Sequence, residues 1–251
     1  MSLTLRNPHS VLAALKHRPK AVQQVFLPID TKNMGDGWAE VSKLAQSHKI
    51  PVSKAPPAER EGRRGSAPQD GGRTHGIGGL VREKEPVSIQ SLFTPPAEGK
   101  FGVWLALDQV QDPQNLGSLF RTAAFFGVRG ILMTQDRSSP LTAPVYDVAC
   151  GGVEEVPYAL EVNLQRAIDQ AKESGLWVLG TSEHAKDSLF KLDRDRNWLI
   201  VLGNEESGMR ALTQKSCDLL CTIPVPKSAT GGVSSLNVSV ANAVLLSHFC
   251  R

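Results

Sequence analysis

Three short stretches of the chain concentrate side chains that can bind, orient or polarise a substrate. The first runs Asp108-Gln109-Val110-Gln111-Asp112-Pro113-Gln114-Asn115-Leu116-Gly117-Ser118-Leu119-Phe120-Arg121. The carboxamide of Asn115 both donates and accepts, and the guanidinium of Arg121 can bind a phosphate or stabilise a developing oxyanion. The second is Leu202-Gly203-Asn204-Glu205-Glu206-Ser207-Gly208, where Gly203 follows an apolar run and permits close backbone approach by a ligand. The third links Ile223-Pro224 to Ser234-Ser235-Leu236-Asn237-Val238-Ser239-Val240-Ala241, a dense set of hydroxyl and carboxamide groups. Each stretch also has a plainer reading. Arg121 suits a helix-surface ion pair, Glu205 and Glu206 suit the positive end of a helix, and Ser234 or Ser235 suits an N-cap.

Other chemistries find no motif. There is no Walker loop, HExxH, GxSxG or deaminase signature, and Gly76-Ile77-Gly78-Gly79 lacks the spacing and preceding strand of a dinucleotide fingerprint. The six histidines (His9, His17, His48, His75, His184, His248) are scattered. Cys150, Cys217, Cys221 and Cys250 show no paired metal spacing, so reduced thiols of an intracellular protein are expected and no metal.

The elements that must position these loops alternate between strand and helix. Val103–Leu107 is a continuous apolar run, as a buried parallel strand requires. Asn115–Phe126 reads as a helix, with Asp112 and Pro113 suited to its start. Strands follow at Gly130–Met133, Leu176–Gly180, Trp198–Leu202 and Leu219–Ile223, with helices at Asn163–Ser174, Gly208–Ser216 and Leu236–Phe249. This order predicts a parallel α/β sheet with right-handed crossovers, and all three loops sit at strand C-termini, where open α/β sheets place ligands.

Upstream, a smaller α/β module is expected. Its elements are a helix at Pro8–Leu15, a strand at Ala21–Leu27, a helix at Gly37–Ser47, a strand near Ile50–Val52, and short strands at Leu80-Val81 and Val87–Ile89. Residues 55–76, rich in Gly, Pro and Arg, read as a mobile loop inside this module. The Pro/Gly break near Thr94–Lys100 sets the expected domains at 1–94 and 101–251, with a linker at 95–100.

At 251 residues the chain is long enough for an ordinary hydrophobic core without disulfides. The net charge of +3 divides unevenly. Residues 1–99 hold 14 Lys+Arg against 9 Asp+Glu, net +5, leaving 14 against 16, net −2. The basic part suits a polyanion, since Lys and Arg release phosphate counterions, and equally suits a solvated surface. No membrane span is expected, because the uncharged stretch 228–250 is studded with Ser, Thr, Gly and Asn. The acid-poor N-terminus lacks a cleavage signature, and Pro8 with few arginines speaks against a transit peptide.

DxxxDPxNxGxxxRxA, LGNExxG and IP…SLNVSVA, in this order, resemble the three motifs of the SpoU (TrmH-like) RNA 2′-O-methyltransferases of the SPOUT superfamily. The resemblance covers about residues 100–251. More weakly, Asn7–Leu15 and Thr74-His75-Gly76-Ile77 resemble the family's N-terminal substrate-binding domain, related to a ribosomal-protein fold and typical of the rRNA guanosine branch. It implies a deep trefoil knot and S-adenosylmethionine bound against Gly203, Ile223, Leu236 and Thr181. It also implies a catalytic cluster of Asn115, Arg121, Glu205, Ser235 and Asn237. The substrate implied is rRNA, with tRNA or a non-catalytic RNA-binding assembly factor as alternatives. The partner implied is a second copy in a homodimer, and the location cytoplasmic, or the mitochondrial matrix in a eukaryote. Val225–Ser234 is longer than the family's common glycine loop, and 55–76 also exceeds the usual length.

Overall fold

The structure is a computed structural model and describes residues 1–28, 34–55, 76–226, 228, 231–232 and 235–250. Almost all of the loop expected at 55–76, including Thr74 and His75, therefore lies outside the described residues, as do Ser234 and part of the long stretch before Ser235. The chain forms two compact units, Met1–Glu83 and Lys84–Arg251.

The first unit is a four-stranded sheet in the order β1-β4-β2-β3, built from β1 (Ser2–Leu5), β2 (Val22–Leu27), β3 (Val52–Lys54) and β4 (Gly78–Arg82). Its helices are α1 (Pro8–His17) and α2 (Asp36–Ser47). Helix α1 starts where the sequence dictates: Asn7 Oδ1 accepts the His9 N–H at 2.9 Å, and Pro8, whose missing N–H costs nothing there, takes the first helical position. Val11, Leu12, Ala14 and Leu15 give the helix its buried face. The strand expected near Ile50 begins at Val52, and β1 has no counterpart in the sequence reading.

The second unit is a seven-stranded sheet in the order β7-β6-β5-β10-β8-β11-β9. The strands are β5 (Val103–Asp108), β6 (Ile131–Thr134), β7 (Tyr158–Glu161), β8 (Trp177–Thr181), β9 (Asp187–Ser188), β10 (Trp198–Gly203) and β11 (Leu219–Thr222). Every neighbouring pair is parallel. The helices are α3 (Ile89–Leu92), α4 (Pro113–Phe125), α5 (Ala143–Ala149), α6 (Gly152–Glu155), α7 (Leu164–Glu173), α8 (Ala211–Ser216) and α9 (Val238–Phe249). Strands β5 and β10 are buried along their whole length, as apolar strands covered on both faces must be.

The boundary differs from the expected linker at 95–100. Ile89, Leu92 and Phe93 belong to the core around Trp104, and Trp104 Nε1 donates to the Leu92 carbonyl at 2.7 Å. Residues 87–89 are therefore no strand of the first module; Ser88 instead caps the short helix α3. Burying three large apolar side chains outweighs the Pro/Gly signal of 94–100, which marks only a surface connection within the second unit. Dividing at Glu83 sharpens the charge contrast, with 13 Lys+Arg against 7 Asp+Glu in the first unit and 15 against 18 in the second.

Candidate active site

Helix α4 carries the first motif. Asp112 is its N-cap, with Oδ1 accepting the Gln114 N–H at 2.9 Å, and Pro113 follows at the first helical position. The cap fixes where the helix begins and so which way Asn115, in its first turn, points. Asn115 is buried to 7% exposure, so its amide needs partners within the protein. Its Nδ2 donates to Glu205 Oε1 at 3.0 Å, and its Oδ1 accepts from Asn237 Nδ2 at 3.0 Å. One side chain from each of the three motif loops thus joins a single chain, Glu205–Asn115–Asn237.

Glu205 does more than hold Asn115. Its Oε1 accepts the Asp112 N–H at 3.2 Å, and its Oε2 accepts the Gln111 N–H at 3.4 Å and Asn204 Nδ2 at 3.3 Å. It supplies acceptors and negative charge at the start of α4, ninety residues earlier in the chain, and not at the helix that follows it. The dipole role expected for Glu205 is therefore correct in kind and different in target.

Two further residues that sequence reasoning passed over shape the same loop. Asn204 Nδ2 donates to the Gln109 carbonyl at 2.9 Å, while its Oδ1 accepts from the Glu206 and Ser207 backbone at 3.0 and 3.1 Å. Asp108, fully buried at the end of β5, accepts Arg210 N–H at 3.0 Å and Arg210 Nε at 2.7 Å. A carboxylate ending an apolar strand was the available signal for Asp108, because a buried charge must be paired.

Gly203 makes the loop possible, in a way the sequence did not suggest. A Cβ there would lie 2.2 Å from the Met209 nitrogen and 2.3 Å from the Gly208 carbonyl carbon. The close approach that glycine permits is by its own loop, closed through the Asn204–Gly208 bridge.

The third motif starts α9. Asn237 is the cap, its Oδ1 accepting Ser239 N–H at 2.9 Å and Ser239 Oγ at 2.6 Å, so the capping role expected of Ser234 or Ser235 falls to it. A carboxamide can accept at the helix start and still donate to Asn115, whereas a serine hydroxyl is shorter and has one donor. Ser235 lies two residues before, exposed. Arg121 stands further along α4, exposed, and its guanidinium makes no hydrogen bond or ion pair among the described residues. The surface ion pair offered as its plainer role is therefore absent there.

The residues expected to hold a cofactor lie along the same sheet edge. In register, Val201 faces Gly180 and Cys221 faces Thr181, so β10, β8 and β11 end side by side at Gly203, Thr181 and the residue before Ile223. The Thr181 hydroxyl is turned inward to the Val201 carbonyl at 3.0 Å. Thr181 and Ile223 are half-buried, and Leu236 is 48% exposed beside the Asn237 cap. Backbone polar groups thus gather at three strand ends, with Ile223 following β11 directly.

The thiols nearby are inert by environment. Burial pushes the Cys217 and Cys221 thiols up to about 12, with the Asp187 carboxylate adding to the effect on Cys221. Among the described residues no group of three or more His, Cys, Asp or Glu side chains is placed to hold a metal ion.

The profile of the SpoU rRNA Methylase family matches residues 102–247. A Pseudomonas aeruginosa protein named 23S rRNA (guanosine-2′-O-)-methyltransferase RlmB is 36% identical over 97% of this chain and 94% of its own length. Its Neisseria meningitidis namesake is 34% identical over 97% of this chain and 92% of its own. Among solved structures, the SpoU methyltransferase AviRb from Streptomyces viridochromogenes in complex with AdoMet superposes with a TM-score of 0.74 at 19% identity, covering 100% of this chain and 89% of that one. The AdoMet-bound rRNA methyltransferase from Sinorhizobium meliloti gives 0.71 at 20% identity, covering 98% and 86%.

Proposed function

The chain belongs to the SpoU rRNA Methylase family, and on that premise we propose that it is an S-adenosylmethionine-dependent methyltransferase acting on the ribose 2′-hydroxyl of a guanosine in large-subunit (23S-type) rRNA. The observation that carries the reading is the Glu205–Asn115–Asn237 chain, which ties all three motif loops together at one sheet edge.

Gly203, Thr181, Ile223 and Leu236 would hold the cofactor. When bound, S-adenosylmethionine supplies a methyl group on a sulfonium, open to in-line displacement by the ribose oxygen. The protein's part is positioning and electrostatics, which can supply much of the rate of such a displacement. Arg121, a donor only, binds the substrate phosphate and stabilises the developing alkoxide, the hydroxyl proton leaving to solvent as the methyl–sulfur bond breaks. Its exposure suits contact with a large polyanion. Asn115, fixed at both amide atoms, holds Asn237 and the adjacent Ser235 at the start of α9, facing the reacting ribose.

The net positive charge of the first unit supports a role in docking RNA. The return of α9 to α4, after β11 has been placed beyond β8 in the sheet, supports a threaded, knotted C-terminal segment. A second copy would cover the outward face of α9. There Val240 is 49% exposed, and a groove of about 420 Å³ is lined by apolar Phe190, Val240, Ala243 and Val244 together with polar Arg194, Ser247 and His248. Work on bacterial rRNA would place the enzyme in the cytoplasm; no described helix is long and apolar enough to cross a membrane.

The test is methyl transfer from labelled S-adenosylmethionine to large-subunit rRNA taken from cells lacking the protein, followed by mapping of 2′-O-methyl groups. One methylated guanosine is expected. Label entering only tRNA would move the substrate, and absence of S-adenosylmethionine binding by calorimetry would overturn the enzymatic reading. Sedimentation should give a dimer; a fully active monomer would refute the paired state.

A further inference from the structure

Lys84, the first residue of the second unit, stands outside all three motifs, yet its side chain meets three main-chain carbonyls. Its Nζ donates to Val153 at 2.8 Å, Glu154 at 2.9 Å and Val156 at 2.9 Å. These are carbonyls at the C-terminal end of α6, which no further helical turn satisfies. An ammonium has three N–H groups, and a cation there is favoured by the helix dipole. The Lys84 backbone is held as well: its N–H donates to Tyr146 Oη at 2.9 Å, and its carbonyl accepts from Tyr158 Oη.

What α6 presses on gives this anchor its meaning. Gly152 opens α6, and a Cβ there would lie 2.5 Å from the Phe120 carbonyl oxygen and 2.9 Å from the Arg121 nitrogen. The α6 backbone thus lies directly against the Phe120–Arg121 peptide of α4. A second route reaches the same place, since the Tyr158 ring packs edge-on against Phe120 with centroids 6.2 Å apart. Both the ammonium and the main chain of Lys84 bear on the supports of Arg121, whose guanidinium has no partner of its own among the described residues and so takes its placement from the helix backbone.

We propose that Lys84 is a positioning residue for methyl transfer, setting the placement of Arg121 on α4 by fixing α6 and Tyr158 behind it. The inference rests on the methyltransferase reading and on the role given there to Arg121. A packed α6 against a packed α4 leaves no slack, so a shift in one is passed to the other. Displacement of a catalytic group by about 1 Å can cost about a hundredfold in rate.

The test uses the full chain with Lys84→Met, which keeps the stem and removes the ammonium, Lys84→Arg, which keeps the charge, and Tyr158→Phe, which keeps the ring on Phe120. Single-turnover methylation of Lys84→Met should fall about ten- to a hundredfold, with S-adenosylmethionine affinity and the KM for RNA within about threefold of wild type. Lys84→Arg should recover most of the rate, and Tyr158→Phe should lose about threefold or more. Deuterium exchange in peptides covering 113–125 should quicken in Lys84→Met while β5 and β10 stay protected.

A wild-type rate in Lys84→Met would overturn the inference. So would a loss carried entirely by KM, or unchanged exchange in α4. Should Lys84→Met not fold, Tyr158→Phe decides, and a wild-type rate there overturns it equally. A wild-type protein that binds S-adenosylmethionine yet methylates no RNA would instead overturn the reading on which the inference rests.

Discussion

Replacing Glu205 by Gln tests the central claim that one carboxylate organises the site. The side chain keeps its shape, but an NH2 must replace one oxygen. Each oxygen accepts two donors, so on either side two N–H groups would face a third donor. The less costly choice puts the NH2 at Oε2, against Gln111 N–H and Asn204 Nδ2, whose contacts are 3.4 and 3.3 Å. A hydrogen bond to a charged group contributes about 1.5–3 kcal/mol. These two are long and Glu205 is half-buried, so about 1–3 kcal/mol in total is expected, including weakening of the Oε1 pair. For a chain of this size that is a fall in Tm of roughly 2–12 °C. Methyl transfer should fall further than stability, because the Asn115 amide loses its fixed orientation. Glu206→Gln, altering an exposed neighbour, is the control and should move stability by less than about 0.5 kcal/mol. Calorimetric melting and a filter assay for labelled methyl groups read both effects. A double-mutant cycle of Glu205→Gln with Asn115→Ala should show coupling of about 0.5 kcal/mol or more. Strict additivity, or a Glu205→Gln protein with wild-type Tm and rate, would refute the reasoning.

Arg121→Ala should abolish methylation while calorimetry finds S-adenosylmethionine affinity nearly unchanged; activity equal to wild type would remove Arg121 from the mechanism. Gly203→Ala should destabilise by about 1–3 kcal/mol and weaken cofactor binding, since the new methyl meets backbone that cannot move aside. An unaltered melting curve would show that the loop is free to open there. Because burial raises the Cys217 and Cys221 thiols from 9.0 to about 12, the unfolded chain releases their protons first. Their contribution to stability is complete below pH 9 and is lost as pH rises from 9 towards 12. Cys221→Ala should therefore lose less stability than wild type over that interval; parallel Tm curves would contradict this.

Much of the fold is written locally. The apolar runs of β5, β6 and β10 are visible because strands buried on both faces admit few polar residues. Helix starts are visible where the capping residue sits beside its helix, as in Asn7-Pro8 and Asp112-Pro113. Residues 143–161 show no element in the sequence, because α5, α6 and β7 are each only four to seven residues long and give little periodic signal. The boundary at Glu83 was also illegible, since it depends on whether Leu92 and Phe93 find Trp104.

The sequence by itself determined the alternation of strands and helices, the three loops at strand C-termini and the residue types able to act there. It also carried the family, through the order of three motifs. Only the tertiary structure decided who holds whom. Asn115 meets Glu205 ninety positions away and Asn237 a hundred and twenty-two away. Gly203 admits its own loop, and Lys84 braces a helix that begins 68 residues later in the chain. Capping and periodicity are read among neighbours three or four residues apart. Contacts across the sheet depend on strand order and register, which follow from packing the whole core at once.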